Sequence, residues 1–309
     1  MMNFNQLLGI KYPVIQGGMA HIATGRFAAS VSAAGGMGLI ASGSHTIDGL
    51  REQIHICKSL TQNPFGVNIM LMHPKSADIV QLCIDEKVPF VTTGGGNPEQ
   101  YIKSFHENNI TIYPVVPTLS LAKRMERIGA DGVIAEGMEA GGHIGFMTTF
   151  TLIPQLAAEL KIPIIAAGGI YSGATLLAAE VLGASGVQMG TAFLATEECP
   201  AHDNYKDKVL KGKSSQITII GEQAGFPTRL FQNAMTRKYT EAEKAGADAM
   251  ELELFTLGAL SRAVKEGDVT DGSVMAGLVA GSIHEKTTVP ALLEKIMAEY
   301  QEAKSNLSN

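Results

Sequence analysis

The residues best suited to chemistry form one segment, Glu136-Gly137-Met138-Glu139-Ala140-Gly141-Gly142-His143-Ile144-Gly145. A histidine enclosed by glycines is not packed on the apolar face of a helix, and its imidazole can take or give a proton near neutral pH. The bland alternative is a histidine that only fixes its own loop through a backbone hydrogen bond. The other histidines offer less. His55, His106 and His202 lie in helix-like or polar stretches, while His21, His45, His73 and His284 lie in loops. Of these only His21 closely follows a strand end. No His, Cys and Asp cluster has metal-ligand spacing, so no metal is expected. Cys57 and Cys83 fall within helical patterns as packing residues, and Cys199 precedes Pro200 without a glycine-rich loop. No serine occupies a G-x-S-x-G elbow, which removes support for acyl transfer.

Glycine, with 34 residues, marks the other chemical candidates, since it lets backbone come close to a ligand. Ala167-Gly168-Gly169-Ile170 and Gln188-Met189-Gly190-Thr191 end two successive β-like runs. Their backbone N–H groups, with the Thr191 hydroxyl, suit a phosphate; the alternative is plain turn glycine. At other strand ends stand Gln16-Gly17-Gly18-Met19-Ala20, Asn68, Gly94-Gly95-Gly96-Asn97 and Glu136. Glycine-lined backbone with a few amides and a carboxylate suits a flat, hydrogen-bonding ring such as a flavin. Asn68 and Glu136 equally fit satisfied structural polar groups.

These groups need a scaffold that gathers strand ends. Runs rich in β-branched residues start near Pro13, Gly38, Phe65, Pro89, Thr111, Gly132, Ile162 and Gly186. Almost none alternates polar with apolar, as expected of parallel strands buried on both faces. Amphipathic stretches lie between them: Thr46–Leu60, Ser76–Lys87, Tyr101–Asn109, Ser120–Ile128, Leu152–Leu160 and Gly173–Leu182. Eight alternating units predict an α/β fold, a (β/α)8 TIM barrel, with reactive groups at the carboxyl ends of the strands. After Thr191 the alternation stops. A smaller, mostly helical second lobe over residues 197–283 is expected to cover the active site, with one β-like run (Gln216–Ile220) and helices at Thr240–Ala245 and Leu252–Lys265. The barrel then comprises residues 1–196 and 284–309, Thr287–Lys304 being its closing helix.

Two motifs are decoys. Gly36-x-Gly38-x-x-Ala41 has the letters of a dinucleotide fingerprint but leads into a strand instead of leaving one. Gly212-Lys213-Ser214 resembles the end of a P-loop, yet Asp207 stands where the first glycine belongs.

Composition narrows the class further. With 45% hydrophobic and 17% charged residues the chain has ample material for a core. A net charge of -6 with no basic tract speaks against nucleic acid. No apolar run is long enough for a membrane span. Met1 to Leu8 lacks a basic region followed by an apolar stretch, and three dispersed cysteines make no disulfide framework, so a cytoplasmic protein is expected.

On these residues the chain resembles the flavin-dependent enoyl-acyl-carrier-protein reductase II group of the nitronate monooxygenase superfamily. Features of the wider superfamily are YPVIQGGMA at Tyr12–Ala20, EAGGHIG at Glu139–Gly145, IPIIAAGGI at Ile162–Ile170 and GVQMGT at Gly186–Thr191. More particular to the reductases are FGVNIML at Phe65–Leu71, VTTGGGNP at Val91–Pro98, PVVPTLSLAKRMERIGAD at Pro114–Asp131, AHDNYKDK at Ala201–Lys208 and DGSVMAG at Asp271–Gly277. Thr118 and Gly96 depart from the pattern, which has Ser and Ala there.

The resemblance implies an FMN-bound barrel, dimeric, reducing trans-2-enoyl thioesters on acyl carrier protein with NADPH or NADH in bacterial fatty-acid elongation. It places Gly18, Met19 and Ala20 against the flavin ring, with Asn68 and Glu136 hydrogen-bonding the ring or its ribityl chain. It places Gly168, Gly169, Gly190 and Thr191 on the phosphate with Gln188 nearby, and brings Ser273, Met275 and Gly277 back over the flavin. His143 matches the active-site histidine. Lys206, Lys208, Lys211 and Lys213 are a candidate surface for the acidic carrier protein, or an ordinary solvated face. Rival expectations are oxidation of alkyl nitronates by oxygen with His143 as base, a flavin-free sugar-phosphate isomerase, and a non-catalytic flavin-binding module.

Overall fold

A computed structural model describes residues 4–307. In chain order the first strands are Val14–Gln16 (β1), Gly38–Ala41 (β2), Phe65–Met70 (β3), Phe90–Gly94 (β4), Thr111–Val116 (β5) and Val133–Glu136 (β6). A two-residue strand outside the barrel, Gly142–His143 (β7), precedes Ile164–Ala167 (β8) and Gly186–Met189 (β9). The eight barrel strands run parallel in the order β1-β9-β8-β6-β5-β4-β3-β2. A parallel bridge between Ile15 and Met37 joins the two ends, with the Gln16 N–H donating to the Met37 carbonyl at 2.9 Å. The sheet is thus a (β/α)8 barrel, as the unbroken apolar runs require.

Large side chains fill the amino-terminal half of the barrel. Phe4, Ile15, Met37, Leu39, Phe90, Tyr113, Ile134 and Ile165 form one cluster inside it. Phe4, on the short helix Phe4–Leu8, packs its ring 5.7 Å from Tyr113 and 6.0 Å from Phe90. This helix stoppers the amino end, which leaves the carboxyl end as the place for a ligand. The flanking helices follow the predicted stretches within a few residues: Ile47–Leu60, Ser76–Asp85, Glu99–Glu107, Leu119–Arg127, Thr149–Glu159 and Gly173–Val181. The closing helix is Val289–Leu307 and lies directly on Gly173–Val181. A Cβ on Gly173 would fall 2.1 Å from the Tyr300 nitrogen, so the close approach itself demands glycine.

Where the alternation stops, the expected helix Leu252–Lys265 is two helices, Ala249–Thr256 and Ala259–Lys265. Gly258 takes φ +68°, a left-handed turn that ends one and starts the other. An unanticipated helix, Asp203–Lys211, carries the lysine run. Two further strands, Ile217–Ile220 (β10) and Thr228–Phe231 (β11), pair antiparallel. β11 also pairs with β7, setting Thr228 opposite His143 and Arg229 opposite Gly142. The histidine loop is therefore a strand of this small sheet. Among the described residues no helix is long and apolar enough to cross a membrane.

Candidate active site

The carboxyl ends of the strands enclose a cavity of about 530 Å³, within the range of small-molecule and cofactor sites. A larger cleft of about 670 Å³ lies between Gly9–Lys11, Ser30–Gly35 and Glu294, beside the amino ends of β1 and β2 and away from the glycine loops. Gly18, Met19 and Ala20 line the first cavity from the end of β1, and Glu136 and His143 from the end of β6 and its loop. Gly168 and Gly169 follow β8, Gln188, Gly190 and Thr191 come from β9, and Met275 and Gly277 complete the wall.

Two predicted residues are not among those lining the cavity. Asn68 donates its amide N–H to the Thr92 hydroxyl at 2.8 Å and supports Gly18, whose added Cβ would lie 2.4 Å from the Asn68 Cβ. Ser273 is fully buried, with its N–H on the Ala259 carbonyl at 3.0 Å, and only Met275 onward reaches the cavity.

The junctions after β8 and β9 make a backbone cradle. Gly168 and Gly169 have φ of +89° and +79°, which favour glycine at both positions. Among the described residues no acceptor meets the N–H groups of Gly168, Gly169 or Gly190. Thr191 accepts the Gly277 N–H at 2.9 Å and keeps its own hydroxyl proton to donate. A Cβ on Gly190 would have only the Met19 sulfur nearby, at 3.6 Å, so the space beside it belongs to the cavity. Unpaired donors beside glycine-made room fit a phosphate, and among the described residues no Lys or Arg lines the cavity to hold it otherwise.

Glu136 lines the cavity without a hydrogen-bond donor from any described residue, and burial pushes its carboxyl up to about 7. Near neutral pH a large fraction is the neutral acid, able to donate as well as accept. Its folded pKa lies above the ordinary 4.5, so its stabilising effect is complete below about pH 4.5 and is lost as pH rises through about 7. Glu136→Gln should therefore gain a Tm advantage of a few degrees over the parent, both cofactor-free, between pH 5 and pH 8. An advantage that does not change with pH would contradict this assignment.

His143 is accessible through the cavity yet densely surrounded, and that desolvation holds its imidazole below the usual histidine range. Its ring hydrogen-bonds no described residue; the loop is held instead by the backbone pairing of β7 with β11. The neutral imidazole faces the cavity with both nitrogens free for a ligand.

Several supports of the site were not anticipated. Glu139 accepts the Thr149 N–H with both carboxylate oxygens, at 3.0 and 2.9 Å, while the Thr149 hydroxyl lies 2.9 Å from the Gly168 carbonyl. This joins the loop after β6 to the cradle after β8. Arg229 donates from Nε to the Met138 carbonyl at 2.9 Å, and the Tyr205 hydroxyl donates to the Met275 carbonyl at 2.6 Å. Glu139 stood in view beside the histidine motif, but nothing in the sequence names partners 10 to 91 residues away. Lys206 corrects the proposed lysine surface: it is buried and donates to the Thr196 carbonyl at 3.0 Å. Cys57 and Cys83 are buried in helices, their thiols pushed up to about 12, as packing residues would be.

Known proteins share this arrangement. FabK from Thermotoga maritima superposes with a TM-score of 0.97 and 44% sequence identity, over 100% of this chain and 98% of that one. A probable nitronate monooxygenase of Staphylococcus saprophyticus is 33% identical over 282 residues, covering 76% of this chain and 79% of the relative. A (3aS,4S,5R,7aS)-5-hydroxy-7a-methyl-1-oxo-octahydro-1H-indene-4-carboxyl-CoA dehydrogenase of Mycobacterium tuberculosis is 34% identical, covering 80% and 70%. These relatives are oxidoreductases. The family model for nitronate monooxygenase matches residues 2–299, and the chain belongs to that family.

Proposed function

We propose that this oxidoreductase reduces trans-2-enoyl thioesters carried on acyl carrier protein, using FMN and NADPH or NADH. The observation that carries the reading is the cavity itself, lined by an unpaired backbone cradle, a protonatable Glu136, glycine walls and a free imidazole. The motifs particular to the reductase group and the full-length likeness to FabK support the choice of substrate. When bound, FMN would supply two-electron transfer between the nicotinamide and the β-carbon of the enoyl group.

The protein's part is to hold and orient. Gly168, Gly169, Gly190 and Thr191 would grip the phosphate, and Gly18, Met19 and Ala20 would lie along the ring. Glu136 would donate or accept at its polar edge. His143 hydrogen-bonds the thioester and delivers a proton to the α-carbon. Backbone N–H groups of the glycine loops would stabilise negative charge developing on the thioester oxygen. Met275 to Gly277 close over the cavity, and Tyr205 fixes Met275 by its carbonyl. The same reading takes the barrel with its second lobe as a cytoplasmic homodimer in fatty-acid elongation. Met250, Leu254 and Leu257, exposed on and just after the helix Ala249–Thr256, offer an apolar face for that pairing.

One observation favours a second reading, oxidation of alkyl nitronates by oxygen. A histidine held unprotonated suits a base, and curated relatives carry that name. Anaerobic incubation with NAD(P)H and crotonyl thioester separates the two. The reductase forms the butyryl thioester; a nitronate monooxygenase leaves the thioester untouched and, in a separate aerobic assay, consumes oxygen with a nitronate.

A further inference from the structure

Two loops and one helix end converge on the rim of the cavity and bring together basic side chains that the reading above leaves unused. His21 follows the cavity-lining Ala20 and holds the left-handed conformation, φ +63°, uncommon for a residue with a side chain. Its N–H donates to the Ser44 hydroxyl at 3.2 Å, which ties it to the turn that carries His45. That turn borders the cavity, since a Cβ on Gly43 would touch the Cβ of Met70 at 3.7 Å and Met70 lines the wall. The helix Ala259–Lys265 puts Leu260 into the cavity lining and ends on the exposed Lys265.

The electrostatics of this corner are one-sided. Burial holds the His21 and His45 imidazoles below the usual range, and the Lys265 ammonium is close enough to lower both further. Among the described residues no carboxylate acts on either ring. Nearby Arg262 is engaged with Asp268 at 3.6 Å, but Lys265 makes no ion pair among the described residues. In a chain of net charge -6, an uncompensated ammonium with two imidazole N–H donors beside a cavity is a ready place for an anion. Strained backbone at His21 is the kind of cost that function maintains.

We propose that His21, His45 and Lys265 form a binding site for a phosphate group on a substrate whose reactive end enters the cavity. The site is separate from the glycine cradle after β8 and β9. In naming that substrate the inference rests on the proposed reductase activity, which supplies two phosphate-bearing molecules: a dinucleotide with a 2′-phosphate, and a thioester on a phosphopantetheine arm.

Calorimetric titration of the flavin-loaded enzyme tests this without turnover, so it stands or falls independently of whether enoyl thioesters are reduced. The probes are 2′,5′-ADP against 5′-AMP, and 4′-phosphopantetheine against pantetheine. At least one phosphorylated probe should bind more tightly than its partner, and Lys265→Met or His45→Gln should weaken that probe about tenfold while leaving the partner unchanged. Loss confined to 2′,5′-ADP assigns the site to the nucleotide; loss confined to 4′-phosphopantetheine assigns it to the thioester carrier. Higher salt should erode the same preference in the parent enzyme. The proposal is overturned if neither phosphate adds affinity, or if both variants, with flavin content and Tm unchanged, bind every probe as the parent does.

Discussion

Replacing His143 with alanine is expected to lower turnover about 10²- to 10⁴-fold, the usual contribution of one positioned proton-transfer group, while the protein keeps its flavin. The structure separates these two outcomes. The His143 backbone pairs with Thr228 in the small sheet, but the ring makes no hydrogen bond to a described residue. Truncating the side chain therefore leaves the loop in place and removes only what faces the cavity. The proposed phosphate cradle is on other loops, at Gly168, Gly169 and Gly190. Turnover and the flavin absorbance of the same sample check both halves. Turnover within a factor of two of the parent would remove His143 from the chemistry; loss of flavin with activity would make it a cofactor residue.

Gly190→Val should have the opposite signature: a folded protein purified without cofactor. Gly190 has φ -113° and ψ -71°, so no left-handed backbone is forced on the valine, and the nearest atom to the new Cβ is the Met19 sulfur at 3.6 Å. The fold can accept the substitution. The branched methyl groups then occupy the space beside the unpaired N–H donors where a phosphate would rest. Gly168 is the wrong site for this experiment, because φ +89° and a Cβ 2.7 Å from the Gly137 carbonyl oxygen would disturb the loop itself. Flavin released on denaturation and circular dichroism of the native sample are the measurements. A full complement of flavin in Gly190→Val would move the phosphate away from this cradle.

How much of this was legible in the sequence depended on whether each residue's neighbours were local. The eight barrel strands were readable because burial on both faces imposes an uninterrupted β-branched composition on each one. The segment from Glu136 to Gly145, and the glycines after β8 and β9, stood out because glycine at a strand end has few reasons other than a turn or a ligand. β7 did not stand out. A two-residue strand inside a glycine loop has no periodicity, and its partner β11 lies some 85 residues later. The helix Asp203–Lys211 was hidden by its polarity, with Tyr205 and Val209 its only buried apolar residues. That is why Lys206 passed for a surface lysine although it is buried against the Thr196 carbonyl. Ser273 was carried along by its motif; it is buried, its backbone N–H bonds the Ala259 carbonyl, and it is not among the residues lining the cavity. Gly258, by contrast, broke the expected helix Leu252–Lys265 for a reason the letters already held.

The central claim is that the glycine loops grip a flavin that passes electrons from a nicotinamide to a conjugated thioester. Anaerobic stopped-flow absorbance of the purified protein tests it most directly. The account predicts that NADPH or NADH bleaches the flavin bands and that a trans-2-enoyl thioester, added next, restores them. A spectrum that stays flat with both nucleotides, or a bleached one that the enoyl thioester leaves bleached, would contradict it.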